Sequence, residues 1–420
     1  MSGKGQRPLV PRLRFPEFRA KDGWDSEFGN MIFDQISNKD HNSDLPVLAI
    51  TQEQGAIPRD MIDYHVSVTD KSLESYKVVE VGNFIISLRS FQGGIEFSKY
   101  RGICSPAYVI LRLRHGHFED YFRHYLKTGR FIAQMTKNLE GLRDGKMISY
   151  KQFSELELPI PPRGEQQKIA DCLSSLDDLI AAETQKLDTL KTHKKGLMQQ
   201  LFPREGETVP QLRFSEFREA GEWNETLFEK LVVKSFYGTS NSTSDTGKYP
   251  VLRMGNMIDG ALSFSNLAYI DLDEKSFAKI RLAPGDILLN RTNSLDLVGK
   301  ISIFDQDIEC ITASYIVTYR LDMEQVEPEF CNLMLNTPRY QRKIRALARP
   351  SISQANINPT TFKTELLVTL PNISEQCRIV SCFSDINEKI AAQNKKIELL
   401  KAQKTGLMQQ LFPVLDGGGA

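Results

Sequence analysis

The 420-residue sequence predicts an α+β protein in which two tandem mixed domains are each followed by a long helix, the two helices packed as an antiparallel coiled coil. Three observations carry this prediction. An opening motif occurs twice, a heptad-patterned helix occurs twice, and the stretches between them differ while keeping the same order of short β-rich runs. The predicted boundaries are 10–160 and 209–370 for the domains, and 164–202 and 374–412 for the helices.

The opening motif reads VPRLRFPEFRAKDGW at 10–24 and VPQLRFSEFREAGEW at 209–223, a shift of 199 without a gap. Trp24 and Trp223, the two tryptophans of the chain, occupy the same place in each copy. Residues 165–203 recur at 375–413 after a shift of 210, and both copies end in GLMQQLFP. Between these ends only fragments correspond. Pro46-Val47-Leu48 resembles Pro250-Val251-Leu252, Gly82 to Ile86 resembles Gly285 to Leu289, and Ala107-Tyr108-Val109 resembles Ser314-Tyr315-Ile316. Short β-branched runs punctuated by Gly and Pro, followed by a helical stretch near 117–139 or 327–347, give each middle its α+β character.

In the first long helix, apolar residues at Ile169, Leu173, Leu176, Ile180, Leu187, Leu190, Leu197 and Leu201 alternate steps of four and three, broken by Glu183 and Lys194. The second repeats the seam from Ile379 to Leu411, with Gln393 and Lys404 at the matching interruptions. Two matched seams predict mutual packing. The identical ends, Gly196, Leu197, Met198, Gln199, Gln200, Leu201 and Phe202 in one copy and Gly406, Leu407, Met408, Gln409, Gln410, Leu411 and Phe412 in the other, are read as two surfaces for the same partner.

Lys+Arg and Asp+Glu each number 53, so the net charge is zero and any nucleic-acid contact must be local. Basic residues concentrate at 123–151, including Arg143 and Lys146, and at 336–364, including Lys343 and Arg349, which suggests phosphate contact in equivalent places. Arg291, Thr292 and Asn293 follow an apolar strand, with Arg89, Ser90 and Gln92 as counterparts. Ser351 and Gln354 lie in a similar polar segment reaching Asn356. Arg, Asn and Gln are the side chains that read base edges bidentately. These residues are the expected nucleic-acid contacts, although polar loops of this kind also occur without function.

No G-x-G-x-x-G, no P-loop and no C-x-x-C pair is present, so the sequence supports neither a nucleotide cradle nor a structural zinc site. His115 and His117 are read as surface histidines, and Asp177 and Asp178 as solubilising charges on an exposed helix face. No run of 18 apolar residues and no secretory leader is recognised, and the scattered cysteines suit a reducing cytoplasm.

The stretches Gly285 to Asn293, Leu297 to Lys300, Leu158 to Pro162 before Glu165 to Ile169, and Leu370-Pro371 before Glu375-Gln376 make the chain resemble the specificity subunits of type I restriction–modification enzymes. The first copy departs from the pattern at 87–94. The resemblance implies a prokaryotic, non-catalytic subunit with two target-recognition domains, each reading one half of an asymmetric bipartite site in double-stranded DNA. It also implies two modification subunits on the helices, translocating restriction subunits beyond them, and S-adenosylmethionine, Mg and ATP on those partners. On the layout alone, a coiled-coil interaction scaffold without DNA binding remains an alternative. A self-contained nuclease or methyltransferase would need the constellation that the sequence lacks.

Overall fold

The computed structural model describes residues 9–42, 44–52, 54–62, 73–86, 94–137, 149–294, 297–350 and 354–413. They form two compact units, one of Met1–Gln185 with Lys395–Ala420, the other of Lys186–Asn394. Each unit thus holds one mixed domain, the first part of the helix that follows it, and the last part of the other long helix.

In the first unit, the strand Asp25–Phe28 pairs antiparallel with Glu157–Ile160, closing the domain where its chain enters and leaves. Between them lies a four-stranded antiparallel sheet in the order Phe33–Ile36, Val109–Leu113, Phe84–Ile86, Glu96–Phe97. Phe33 forms edge-to-face contacts with Phe84, Phe122 and Phe153 at 5.2–5.5 Å and centres the core. The second unit repeats the plan. Asn224–Leu227 pairs with Leu367–Leu370, and the sheet order is Val232–Tyr237, Ile316–Leu321, Asp286–Asn290, Ile301–Phe304. The matched fragments Gly82 and Gly285 occupy the same turn, at φ +89° and +91°, a conformation that a side chain resists.

The helical stretches differ from expectation, each being two helices rather than one. They are Glu119–Tyr125 and Gly129–Lys137 in the first unit, and Pro328–Leu335 and Pro338–Ala346 in the second. Thr128 and Thr337 sit at the breaks, where their hydroxyls accept from the backbone N–H of Phe131 and Tyr340 and so favour a new start over continuation.

The duplicated motifs build one device in each unit. Arg14 donates from Nε and Nη2 to the two carboxylate oxygens of Glu165 at 2.7 and 2.8 Å, and Arg213 does the same to Glu375 at 2.8 and 2.7 Å. Both pairs are buried. The next residue serves too. Gln166 donates to Pro161 O and accepts from Phe118 N, while Gln376 donates to Pro371 O and accepts from Glu327 N. The Glu-Gln pair therefore pins the start of each long helix to its domain, because buried polar groups need their partners.

The long helices run Arg163–Gln200 and Ile373–Leu411. At ~1.5 Å rise per residue each spans about 57 Å. In the first unit the two segments run antiparallel: Lys396 donates to Glu183 at 2.5 Å and Lys404 to Asp177 at 2.5 Å, so residue numbers rise on one helix as they fall on the other. The polar interruptions Glu183 and Lys404 are ion-pair positions that fix this register. Asp177 is thereby engaged and half-buried, not the free solubilising charge expected, whereas Asp178 is exposed.

The identical helix ends depart most from expectation. Leu201 and Phe202 lie in the core of the second unit, Leu411 and Phe412 in that of the first, all 3% exposed or less. Leu197, Met198, Leu407 and Met408 pack beside them. These eight apolar side chains are internal packing and not an open partner surface. The reason for identity is that each end enters an equivalent groove. Leu212 N donates to Gln200 O at 2.9 Å, and Leu13 N to Gln410 O at 3.0 Å. Arg339 donates from Nη1 to Pro203 O at 3.3 Å, and its counterpart Arg130 from Nη1 to Phe412 O at 2.6 Å. Gln199, Gln200, Gln409 and Gln410 are exposed, and a Cβ on Gly196 or Gly406 would meet nothing within 4 Å beyond the helix's own backbone.

Candidate nucleic-acid interface

Two polar segments some 60 residues apart in sequence meet in one small sheet of the second unit. Thr292–Asn293 pairs with Ala355–Ile357, which pairs in turn with Ala348–Pro350. The expected contacts Thr292, Asn293 and Arg349 thus converge on strands rather than on the loop foreseen, with Arg291 directly before Thr292 and Gln354 directly before Ala355. The backbone of Arg291 is held on both sides, its N–H donating to Tyr315 O at 3.0 Å and its carbonyl accepting from Ile357 N at 2.8 Å. The Arg291 guanidinium lies 5.7 Å from the ring centroid of Tyr237, a half-exposed aromatic at the end of Val232–Tyr237. Tyr237 was not foreseen; the polar stretch 238–248 directly after its strand was the available signal.

Sheet register sorts the side chains. Ala355 and Ile357 are buried beneath, at 1% and 0% exposure. Asn356, one residue out of phase, stands on the outer face with Thr292 and Arg349 directly opposite it on either side. The Thr292 hydroxyl donates to Asn356 Oδ1 at 2.6 Å.

The basic run beside this sheet is partly structural. Arg339 is 7% exposed and bonded to backbone carbonyls, so it is no phosphate contact, and Arg342 pairs with Glu205 at 3.6 Å. Lys343 lies against the ring of Tyr340, 5.5 Å from its centroid, while Arg345 and Arg349 are exposed. In the first unit, Arg89, Ser90, Gln92, Arg143 and Lys146 lie outside the described residues, as does Ser351 in the second.

The first unit carries a different polar feature, an open cleft of about 620 Å³ lined in part by Glu96, Arg123, His124, Lys127, Asp177 and Lys404. Lys127 and Glu96 form a short ion pair, and the second carboxylate oxygen of Glu96 is buried without a partner. Burial pushes the Glu96 carboxyl up to about 7 against the pull of Lys127. Burial and the nearby Lys404 ammonium hold His124 down at about 4. His124 bonds Ser174 Oγ at 3.1 Å. The structurally equivalent residues of the second unit are largely uncharged, with Ser302 in place of Glu96 and Asn336 in place of Lys127. Of the two histidines read as surface residues, His115 is exposed and His117 half-buried against Phe122. Among the described residues no group of three His, Cys, Asp or Glu is placed to hold a metal, and no helix is long and apolar enough to cross a membrane.

The family model for the type I restriction modification DNA specificity domain matches twice, at 24–192 and 227–402. The chain belongs to that family. Among relatives of this specificity chain, the type I restriction enzyme MjaVIII specificity subunit of Methanocaldococcus jannaschii is 24% identical over 83% of this chain and 81% of its own. The EcoKI specificity subunit of Escherichia coli K12 is 21% identical over 76% and 67%. The putative MjaX specificity subunit, also from M. jannaschii, is 30% identical over 41% of each chain. Among solved structures, the S subunit of a type I restriction-modification system from M. genitalium aligns over 97% of this chain and 100% of that one, with TM-score 0.53 and 14% identity. A chain from a study of complex assembly and conformational transition of the type I R-M system aligns over 94% and 98%, with TM-score 0.58 and 14% identity. The two family matches fall one in each repeat, and each spans most of a mixed domain and most of the long helix that follows it.

Proposed function

We propose that this specificity chain is the sequence-reading, non-catalytic subunit of a type I restriction–modification complex. Each mixed domain reads one half of an asymmetric bipartite site in double-stranded DNA. The observation that carries the reading is the contrast between a duplicated frame and divergent tips. Arg14 and Arg213, Glu165 and Glu375, and the GLMQQLFP ends recur in both halves, whereas the sequence around Asn356 has no like stretch at 138–148 and the charged cleft around Glu96 has largely uncharged counterparts. A frame that repeats while its tips differ suits two equivalent attachments and two different half-sites.

The partners belong to the same proposal: two modification subunits that bind S-adenosylmethionine and methylate adenine, and restriction subunits that use Mg and ATP. We assign the two modification subunits to the exposed remainder of the helix ends, around Gly196 with Gln199 and Gln200 and around Gly406 with Gln409 and Gln410. Glycine inside a helix costs ~1 kcal/mol relative to alanine. Since a Cβ there would meet nothing within the chain, close approach by another backbone is a reason for both glycines. The deciding experiment is a methylome of prokaryotic cells with and without this gene. Loss of N6-methyladenine at one bipartite motif supports the proposal; an unchanged methylome in cells that express the chain and a modification subunit overturns it and favours the scaffold.

A further inference from the structure

Three residue types with hydrogen-bonding side chains stand in one row across the small sheet of the second unit. Thr292, Asn356 and Arg349 are register partners on three adjacent strands and share the outer face. Strands lie ~4.8 Å apart, so the row is about 10 Å wide, within a major groove ~12 Å across. Its position is rigid, because Ala355 and Ile357 on the opposite face are buried in the core.

We infer that this row selects guanine in the half-site read by the second unit, an inference that rests on the DNA-reading function proposed above. Its outward chemistry is set by two donors, Asn356 and Arg349, since the one hydroxyl proton of Thr292 is spent on Asn356. Thr292 already donates to Asn356 Oδ1, so the Asn356 amide is held with its oxygen toward Thr292 and its Nδ2 free to donate. Arg349 is exposed, and its guanidinium can only donate. In the major groove guanine offers two acceptors, O6 and N7, whereas adenine sets an N6 donor beside N7 and cytosine presents a donor. This pair of donors therefore matches the two acceptors of guanine, opposes adenine N6 and cytosine N4 with like groups, and finds in thymine a single acceptor, O4, beside a methyl. An unfixed asparagine would turn its amide and accept adenine as well. Thr292 is accordingly a positioning residue, acting through Asn356.

The test is the methylome of cells expressing the full chain with its modification subunit, as wild type and as Thr292→Val, Thr292→Ser, Asn356→Asp and Arg349→Ala. Thr292→Val frees the amide, so one guanine of one half-motif relaxes to either purine, while Thr292→Ser keeps wild-type preference. Asn356→Asp presents acceptors and shifts that position toward cytosine. Arg349→Ala lowers discrimination by about 5- to 150-fold at a neighbouring guanine, the range for one bidentate contact. The other half-motif stays unchanged in every variant, which also reports that the chain folds. An unaltered motif in Thr292→Val and Asn356→Asp overturns the inference and leaves the general reading intact. So does a uniform loss of methylation by variants that melt like wild type, since that marks a phosphate grip. A wild type without any motif overturns the reading and the inference together.

Discussion

Replacing Phe412 by alanine tests where the identical helix ends act. Phe412 closes the second long helix, yet its ring lies in the first unit, 5.6 Å from Tyr121 and 5.5 Å from Tyr125 by ring centroids, and is 1% exposed. Truncating a buried phenylalanine removes its transfer energy and leaves a cavity, for a loss of about 3–5 kcal/mol. The neighbouring backbone bonds, Arg130 to Phe412 O and Leu13 N to Gln410 O, tie the end in place, so collapse of the site is restricted and the upper half of that range is expected. At ~1.4 kcal/mol per factor of ten, opening of the first unit should rise on the order of 700- to 4,000-fold. Amide hydrogen exchange resolved by residue is the assay. Protection should fall across the strands Phe33–Ile36, Phe84–Ile86 and Val109–Leu113 and the end of the second helix, while the core strands Asp286–Asn290 and Ile316–Leu321 keep theirs. The reverse pattern, or full protection everywhere with loss of methyltransferase binding instead, would refute the internal role and restore the ends as an open partner surface.

Further outcomes follow from the same geometry. Glu375→Ala leaves Arg213 buried without its carboxylate and should cost about 3–5 kcal/mol in urea unfolding of the second unit; a change under 1 kcal/mol would mean that water replaces the pair. Gly406→Ala should raise the helicity and melting temperature of the lone chain, worth ~1 kcal/mol, while weakening capture of the modification subunit in a pull-down; unchanged capture would remove the argument for backbone approach at that position. The first unit should also respond to pH in two opposed ways. Glu96 titrates near 7 when folded and near 4.5 otherwise, so its contribution is fully present below 4.5 and is lost as pH rises through 7, by about 3 kcal/mol at ~1.4 kcal/mol per unit. His124, held down at about 4, contributes above 6.5 and loses that contribution as pH falls toward 4. Wild-type stability of this unit should therefore vary little between 4.5 and 6.5, whereas that of His124→Gln should fall steadily as pH rises over that range; parallel curves for the two proteins would contradict the His124 assignment, and a flat curve for the variant the Glu96 one.

The architecture was legible because repetition and periodicity are one-dimensional signals. The gapless repeats pointed to two domains, and the alternating four- and three-residue steps pointed to two long helices, which run Arg163–Gln200 and Ile373–Leu411. The Glu-Gln pair at 165–166 and 375–376 was visible as a motif, but its task was not, since Arg14 lies 151 residues from Glu165 and Arg213 lies 162 from Glu375. The polar segments at 291–293 and 351–356 were picked by composition. That Thr292–Asn293 and Ala355–Ile357 pair in one sheet, and that Asn356 rather than Gln354 holds the central place in its outer row, depended on strand register, which no local pattern encodes.

The sequence by itself determined a doubled frame with two different tips, because that information is carried by which residues recur and which do not. Tertiary structure alone decided what the recurring residues face. The GLMQQLFP ends look like amphipathic helix termini in sequence, and an apolar helix face is the same whether it meets a partner or the chain's own core. Arg130 and Arg339 look like members of a basic run, and only the carbonyls of Phe412 and Pro203 at the end of a distant helix turn them into clamps. Burial is a property of what folds back onto a residue from far along the chain, and for these positions that came from the opposite long helix in each unit.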